Sequence, residues 1–193
     1  MIRTIRYYGD PVLRRPARPV TRFDEELARL AEDMIETMHD DEGVGLAAPQ
    51  VGEPLRLFVA SRCRRNEDGE LEHLEDFVMV NPQITQRKGA QVVPEGCLSI
   101  PGLYVEELER DLKVRVSYQD LQGKAQELEA EGHFAQVLQH EYDHLEGILF
   151  FDRLPEEERR AFLEEHRADL ARLQRQAKAL LKELRSKGAE RSR

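Results

Sequence analysis

Between residues 25 and 40 the apolar positions Leu27, Leu30, Ala31, Met34 and Met38 recur at helical spacing, with charged residues between them. This predicts an amphipathic helix over about 25–40, with Asp24 as its N-cap. The run Gly43-Val44-Gly45-Leu46-Ala47-Ala48-Pro49-Gln50 ends it, and its two glycines suit a strained or closely approached backbone. Leu55–Ala60 and Phe77–Val80 are compact apolar runs that read as strands, and the charged stretch 62–76 between them reads as an exposed loop or hairpin. Leu112, Val114, Val116 and Tyr118 alternate with Lys113, Arg115 and Ser117, the period of a half-buried strand. Gln122-Gly123 offers a turn into a partner strand over Ala125–Ala130. The connections are too short for helical crossovers, so the pairing is antiparallel. A helix is predicted over about His133–Glu146, with Gly147 as its C′ residue, and a final helix from Pro155 to about Ser186. Residues 1–22, rich in Pro and Arg, read as an irregular arm with a turn at Gly9-Asp10-Pro11.

These elements make an α+β fold: antiparallel sheets wrapped around a central motif-bearing helix, with a long C-terminal helix. The 193 residues suit one domain. Within it, 1–155 is the catalytic part and 156–193 a C-terminal helix and basic tail. The net charge of −9 argues against general nucleic-acid binding, and no DNA partner is expected. Charge is uneven, however. From Arg172 to Arg193 eight Lys or Arg face two acids, a net +6, so the rest of the chain carries −15. No apolar run approaches the roughly 20 residues that span a bilayer. Nor does MIRTIRYYGDPVLRR read as a signal peptide. A cytoplasmic protein without membrane contact is expected. There the two cysteines, Cys63 and Cys97, are free for metal or catalysis rather than a disulfide.

The chemistry centres on His140-Glu141-Tyr142-Asp143-His144, an H-E-x-x-H pattern. Four residues is just over one helical turn, so both imidazoles share a face and can bind one metal ion. Glu141, about 100° around the helix, is poorly placed as a third ligand but well placed to move protons. A catalytic site usually has three protein ligands and an open position. Downstream the only histidine is His166, in a charged stretch on the expected solvent face, though glutamates there remain possible ligands. Upstream, Cys97 in Glu95-Gly96-Cys97-Leu98-Ser99 is the better candidate, because a thiolate is a strong ligand for a borderline-soft divalent ion. Cys63, among Arg62, Arg64 and Arg65, is weaker.

Three segments, Gly43–Gln50 (GVGLAAPQ), Glu95–Ser99 (EGCLS) and Gln139–His144 (QHEYDH), together resemble the motifs of bacterial-type peptide deformylases, in order and over about residues 5–155. The resemblance implies a metal-dependent hydrolase, an enzyme that removes formate from the N-formylmethionine of newly made proteins during protein biosynthesis. It implies one divalent metal ion on Cys97, His140 and His144, Fe(II) in the cell, with Zn, Ni or Co able to occupy the site. Glu141 would take a proton from the attacking water and pass it to the departing amine. The Gln50 amide and the Leu98 backbone N–H would stabilise the oxygen of the formyl group. Gly45 would let a peptide approach and pair as an extra strand. Val44 and Val137 are candidate walls for the methionine side chain, and both also suit plain core. Glu95 and Arg110 are placed near the substrate as a supporting ion pair; the loop 102–111 departs from the family pattern, which loosens the assignment of Arg110.

The basic tail has three readings: a solvated helix packing its Leu173, Ala177, Leu180 and Leu184 stripe on the body, a ribosome contact, or self-association. Two rival functions also stand. A metallopeptidase acting on internal bonds would leave Cys97, Gln50 and Leu98 without a reason. A zinc-stabilised adaptor would leave Glu141 without one.

Overall fold

In the computed structural model, residues 1–191 are described, with side chains to Lys187; Arg193 and the side chains of Glu190 and Arg191 in the basic tail lie outside the described residues. Helix α1 spans Glu25–Asp40, and Asp24 caps it by accepting a hydrogen bond from Leu27 N at 3.1 Å. Its five predicted apolar residues are all buried. The left-handed residue that follows is Glu42 (φ 52°), not a glycine. Gly43 and Gly45 serve the other purpose expected of them, close approach.

Five antiparallel strands form one hydrogen-bonded sheet in chain order: β1 Gly45–Ala47, β2 Leu57–Arg65, β3 Leu71–Cys97, β4 Ile100–Gln119 and β5 Ala125–Glu131. Strand pairing extends beyond what periodicity predicted. The stretch 62–76 is a hairpin, and β3 and β4 continue through 81–97 and 100–111 as a long ribbon. In β3 that ribbon is exposed on both faces over 85–90, so no apolar alternation marks it there, while β4 buries Leu103, Val105 and Leu108 in a period interrupted at Glu106-Glu107. Register shifts at Val80/Gln83, Ile84/Gln86, Val93/Glu95 and Gly96/Cys97 break the regular ladder. Such bulges bend a strand and add twist, so a single sheet can do the work of several around a helix.

That helix, α2, spans Gly132–Leu145 and is buried on nearly every face. Its end is a Schellman motif: Ile148 N donates to Asp143 O at 2.9 Å and Gly147 N to His144 O at 3.2 Å, with Gly147 left-handed at φ 72°. The expected single C-terminal helix is two, α3 Glu156–Glu165 and α4 Arg167–Arg191, interrupted at His166. Phe162, Leu170 and Leu173 from the two helices share a core with Phe150, Phe151, Ile100 and Leu108. His166 is half-buried, its ring edge-on to Phe162 at 4.5 Å, rather than on a free solvent face. Along α4 the stripe is buried at Leu173 and Ala177 and only partly so at Leu180 and Leu184. No helix among the described residues is long and apolar enough to cross a membrane.

Candidate metal centre

Three segments distant in sequence meet at one end of α2. The first is the turn between β3 and β4, where Cys97 closes one strand and Ile100 opens the next. The second is β1 and the 3-10 turn Ala48–Val51 after it, which carries Gln50. The third is α2 itself. The N-terminal arm binds the first two together: Tyr8 N donates to Ser99 O at 2.9 Å and Arg6 N to Gln50 O at 2.7 Å.

Cys97 Sγ lies 3.3 Å from His144 Nε2, which lies 3.2 Å from His140 Nε2. Donor atoms of all three residues fall within 4.8 Å of one another. Ligands held at about 2.0–2.3 Å around one tetrahedral ion stand roughly 3.3–3.8 Å apart, so this triad fits a single metal ion. Charge supports the fit. Burial opposes a charged His140, yet Cys97 and Glu95 overturn this and raise its pKa well above the ordinary value. Burial and the neighbouring His140 push His144 well below it. One positive charge is thus favoured where the donors meet, and a second is not.

The ligands are held from behind. Glu95 Oε1 accepts from His140 Nδ1 at 2.6 Å, which turns the Nε2 lone pair toward the other donors. Arg110 grips the same carboxylate with two bonds, Nε to Oε2 at 3.0 Å and Nη2 to Oε1 at 2.6 Å, and donates through Nη1 to Asp143 at 2.7 Å. Arg153 completes the network on Asp143. Burial works against ionised Glu95, but His140 and Arg110 outweigh it and hold its pKa at about 2. The expected ion pair of Glu95 with Arg110 is present; Arg110 is buried and does not line the cleft, so it positions Glu95, and Glu95 positions His140. Asp143 and Arg153 went unmarked in the sequence. Asp143 carried a signal, since it lies three residues after His140 and so faces a similar side of α2. Arg153, beyond the helix, carried none. Gln139, inside the quoted motif, anchors α2 to β4 by bonding both N and O of Asp111.

Glu141 is buried, and its Oε2 has no protein partner among the described residues. Burial, reinforced by Glu95 and Asp143 against the pull of His140, raises its pKa to about 7. Gly45 makes room for it: a Cβ there would lie 2.8 Å from Glu141 Cδ. Gly43 does the same for Leu98. Gln50 is fixed, its Oε1 accepting from Ala47 N at 2.8 Å while Nε2 faces Ser99 Oγ at 3.3 Å and Cys97 Sγ at 3.5 Å. A cleft of about 480 Å³ opens beside these groups and is lined by Val44, Gly45, Leu98, Val137 and Glu141 among others. β1 forms its edge. In an antiparallel ladder, alternate residues aim both backbone groups at the partner strand. Val44 O accepts from Ser61 N across β2, so the N–H and C=O of Gly45 point away from β2. Cys63 takes no part in this site.

The family model for polypeptide deformylase matches residues 2–160. A peptide deformylase of Thermus thermophilus is 55% identical over 190 residues, covering 95% of this chain and 98% of its own length. The crystal structure of a peptide deformylase from Thermus thermophilus superposes with a TM-score of 0.83 at 53% identity, over 91% of this chain and 99% of that one. A peptide deformylase of Acinetobacter baumannii, solved with Met-Ala-Ser bound, superposes with a TM-score of 0.74 at 35% identity, over 80% of this chain and 99% of that one.

Proposed function

The chain belongs to the polypeptide deformylase family, enzymes that remove the N-formyl group from nascent peptides, and from that premise we propose how its own residues carry out the reaction. The observation that carries the proposal is the meeting of Cys97, His140 and His144 beside the buried, half-partnered carboxylate of Glu141. The three ligands hold one divalent ion, Fe(II) in the cell and replaceable by Zn, Ni or Co; when bound, it supplies a Lewis acid and lowers the pKa of water.

Glu141 accepts a proton from the water that attacks the formyl carbon. Burial beside the ligands lets it both take this proton and return it to the departing amine as the C–N bond breaks, leaving formate and a free N-terminus. The Gln50 amide and the Leu98 N–H stabilise the oxygen that becomes negative. The outward-pointing Gly45 N–H and C=O pair with the peptide as an added strand. Val44 and Val137 form walls for the methionine side chain. Residues 1–155 and 156–193 act as one domain.

The enzyme works in the cytoplasm on N-formylmethionyl peptides, and the exposed basic face of α4 contacts the ribosome. This last point needs a test other than truncation near Arg167, which would remove Leu170 and Leu173 from the core. Reversing Arg175, Lys178, Lys182 and Arg185, which lie outside that core, leaves it intact. Unchanged co-sedimentation with ribosomes at moderate salt would discard the contact. The central test is metal analysis of anaerobically purified protein coupled to formate release from formyl-Met-Ala-Ser. Strong preference for formyl over acetyl is expected, since the added methyl must fit beside Glu141 and Leu98. Equal rates on the two substrates, or cleavage of unformylated peptides, would overturn the assignment.

A further inference from the structure

Outside the catalytic centre, a second group of ligating side chains gathers where the β2–β3 hairpin crosses the end of α1. Donor atoms of His39, His73 and Asp76 lie within 4.8 Å of one another. His39 Nε2 is 3.1 Å from Asp76 Oδ1, and the two imidazoles lie 4.0 Å apart between centroids, tilted by 33°. Cys63 Sγ stands 3.4 Å from His73 Nδ1.

The strand geometry that creates this cluster is specific. Three residues apart on a regular strand, His73 and Asp76 would point to opposite faces. Here β2 and β3 shift register: Ser61 pairs with Asp76 and Arg62 with Glu75, but Cys63 pairs with His73, so Leu74 is the bulged residue. The extra residue restores His73 and Asp76 to one face, the face of Ser61 and Cys63, and leaves Leu74 exposed. That face lies under the last turn of α1, which delivers His39. Asp40, Asp41 and Glu42 follow directly in the chain.

We propose that His39, His73 and Asp76 form a second binding site for a divalent transition-metal ion of the zinc type, distinct from the catalytic centre. Two imidazoles and a carboxylate are a ligand set that suits such an ion, with coordination completed by solvent on the exposed side. The bound ion ties the hairpin to the end of α1, immediately before Asp41–Gly45, which line the catalytic cleft.

The test is equilibrium dialysis of untagged, full-length protein against zinc chloride, followed by metal analysis. The wild type is expected to hold two zinc ions per chain and His39→Ala/His73→Ala one, with deformylation per catalytic metal unchanged. Cys97→Ser is expected to keep the hairpin ion while losing the catalytic one, which separates the two sites. A single zinc ion in the wild type, or two retained by the double variant, would overturn the proposal. So would loss of both ions from Cys97→Ser while its circular dichroism remains native.

Discussion

The two histidine clusters differ in what stands behind the ligands. His140 and His144 are buried, and His140 is backed by Glu95, Arg110, Asp143 and Arg153 in turn. His39 and Asp76 are exposed, and behind His73 stands only the Cys63 thiol among the described residues. Both sets have donors spaced for one ion. Only the first has its ring orientation fixed, a carboxylate raised to about 7 beside it, and a cleft leading to it. Ligand types at short distance thus make metal binding possible. A buried network that fixes their tautomers and excludes water makes the site fit for catalysis.

Variants at the two clusters should show this difference, starting with the largest effect. Glu141→Ala is expected to lower deformylation by ~10²–10⁴-fold, the range that positioned proton transfer supplies, with metal content unchanged. Normal turnover of formyl-Met-Ala-Ser by that variant would remove Glu141 from the mechanism. Gln50→Ala is expected to lower kcat by ~10²–10³-fold, as loss of one oxyanion donor does. A rise confined to KM would show instead that Gln50 only binds substrate.

Arg110→Met leaves the Glu95 and Asp143 carboxylates buried without their shared cation. A stability loss of ~3–5 kcal/mol is expected in denaturant titration. Metal affinity should fall by ~10–100-fold, measured by competition with a chelator, because Glu95 no longer orients His140. Native stability with native affinity would mean that the network is incidental. At the other cluster the effect should be small. Without added metal, His39→Ala is expected to change stability by about 0.5 kcal/mol or less, as for an exposed site. A loss above about 2 kcal/mol would show that the hairpin cluster is structural in its own right.

Much of the fold could be read from the sequence wherever burial on one side writes a period into the chain. The α1 face, the β4–β5 hairpin and the Gly147 stop came from spacing and turn chemistry. The bent ribbon over 81–111 did not: β3 is exposed on both faces over 85–90, and in β4 a register shift interrupts the alternation of the buried Leu103, Val105 and Leu108. The break at His166 was also hidden. Its helical hydrogen bonds nearly continue, from His166 N to Phe162 O and from Leu170 N to His166 O, and the break is a local backbone departure at His166, with φ −98° and ψ 15°.

At the site, the sequence by itself determined the chemical parts. A spacing of four residues, just over one helical turn, put His140 and His144 on one face, and the three motifs named Cys97, Gln50 and Glu141. Tertiary structure alone decided how those parts are held. Arg110 stands behind Glu95, away from the cleft lining, where β4 meets Asp143 of α2 next to the register shift at Val93/Glu95. Gly45 is glycine because Glu141 occupies the space its side chain would need. The hairpin cluster exists only because one bulged residue returns His73 and Asp76 to a common face. Local spacing encodes which side chains share an element's face. Which faces meet is set by register, bulges and packing between segments far apart in the chain, and no short window of sequence contains that information.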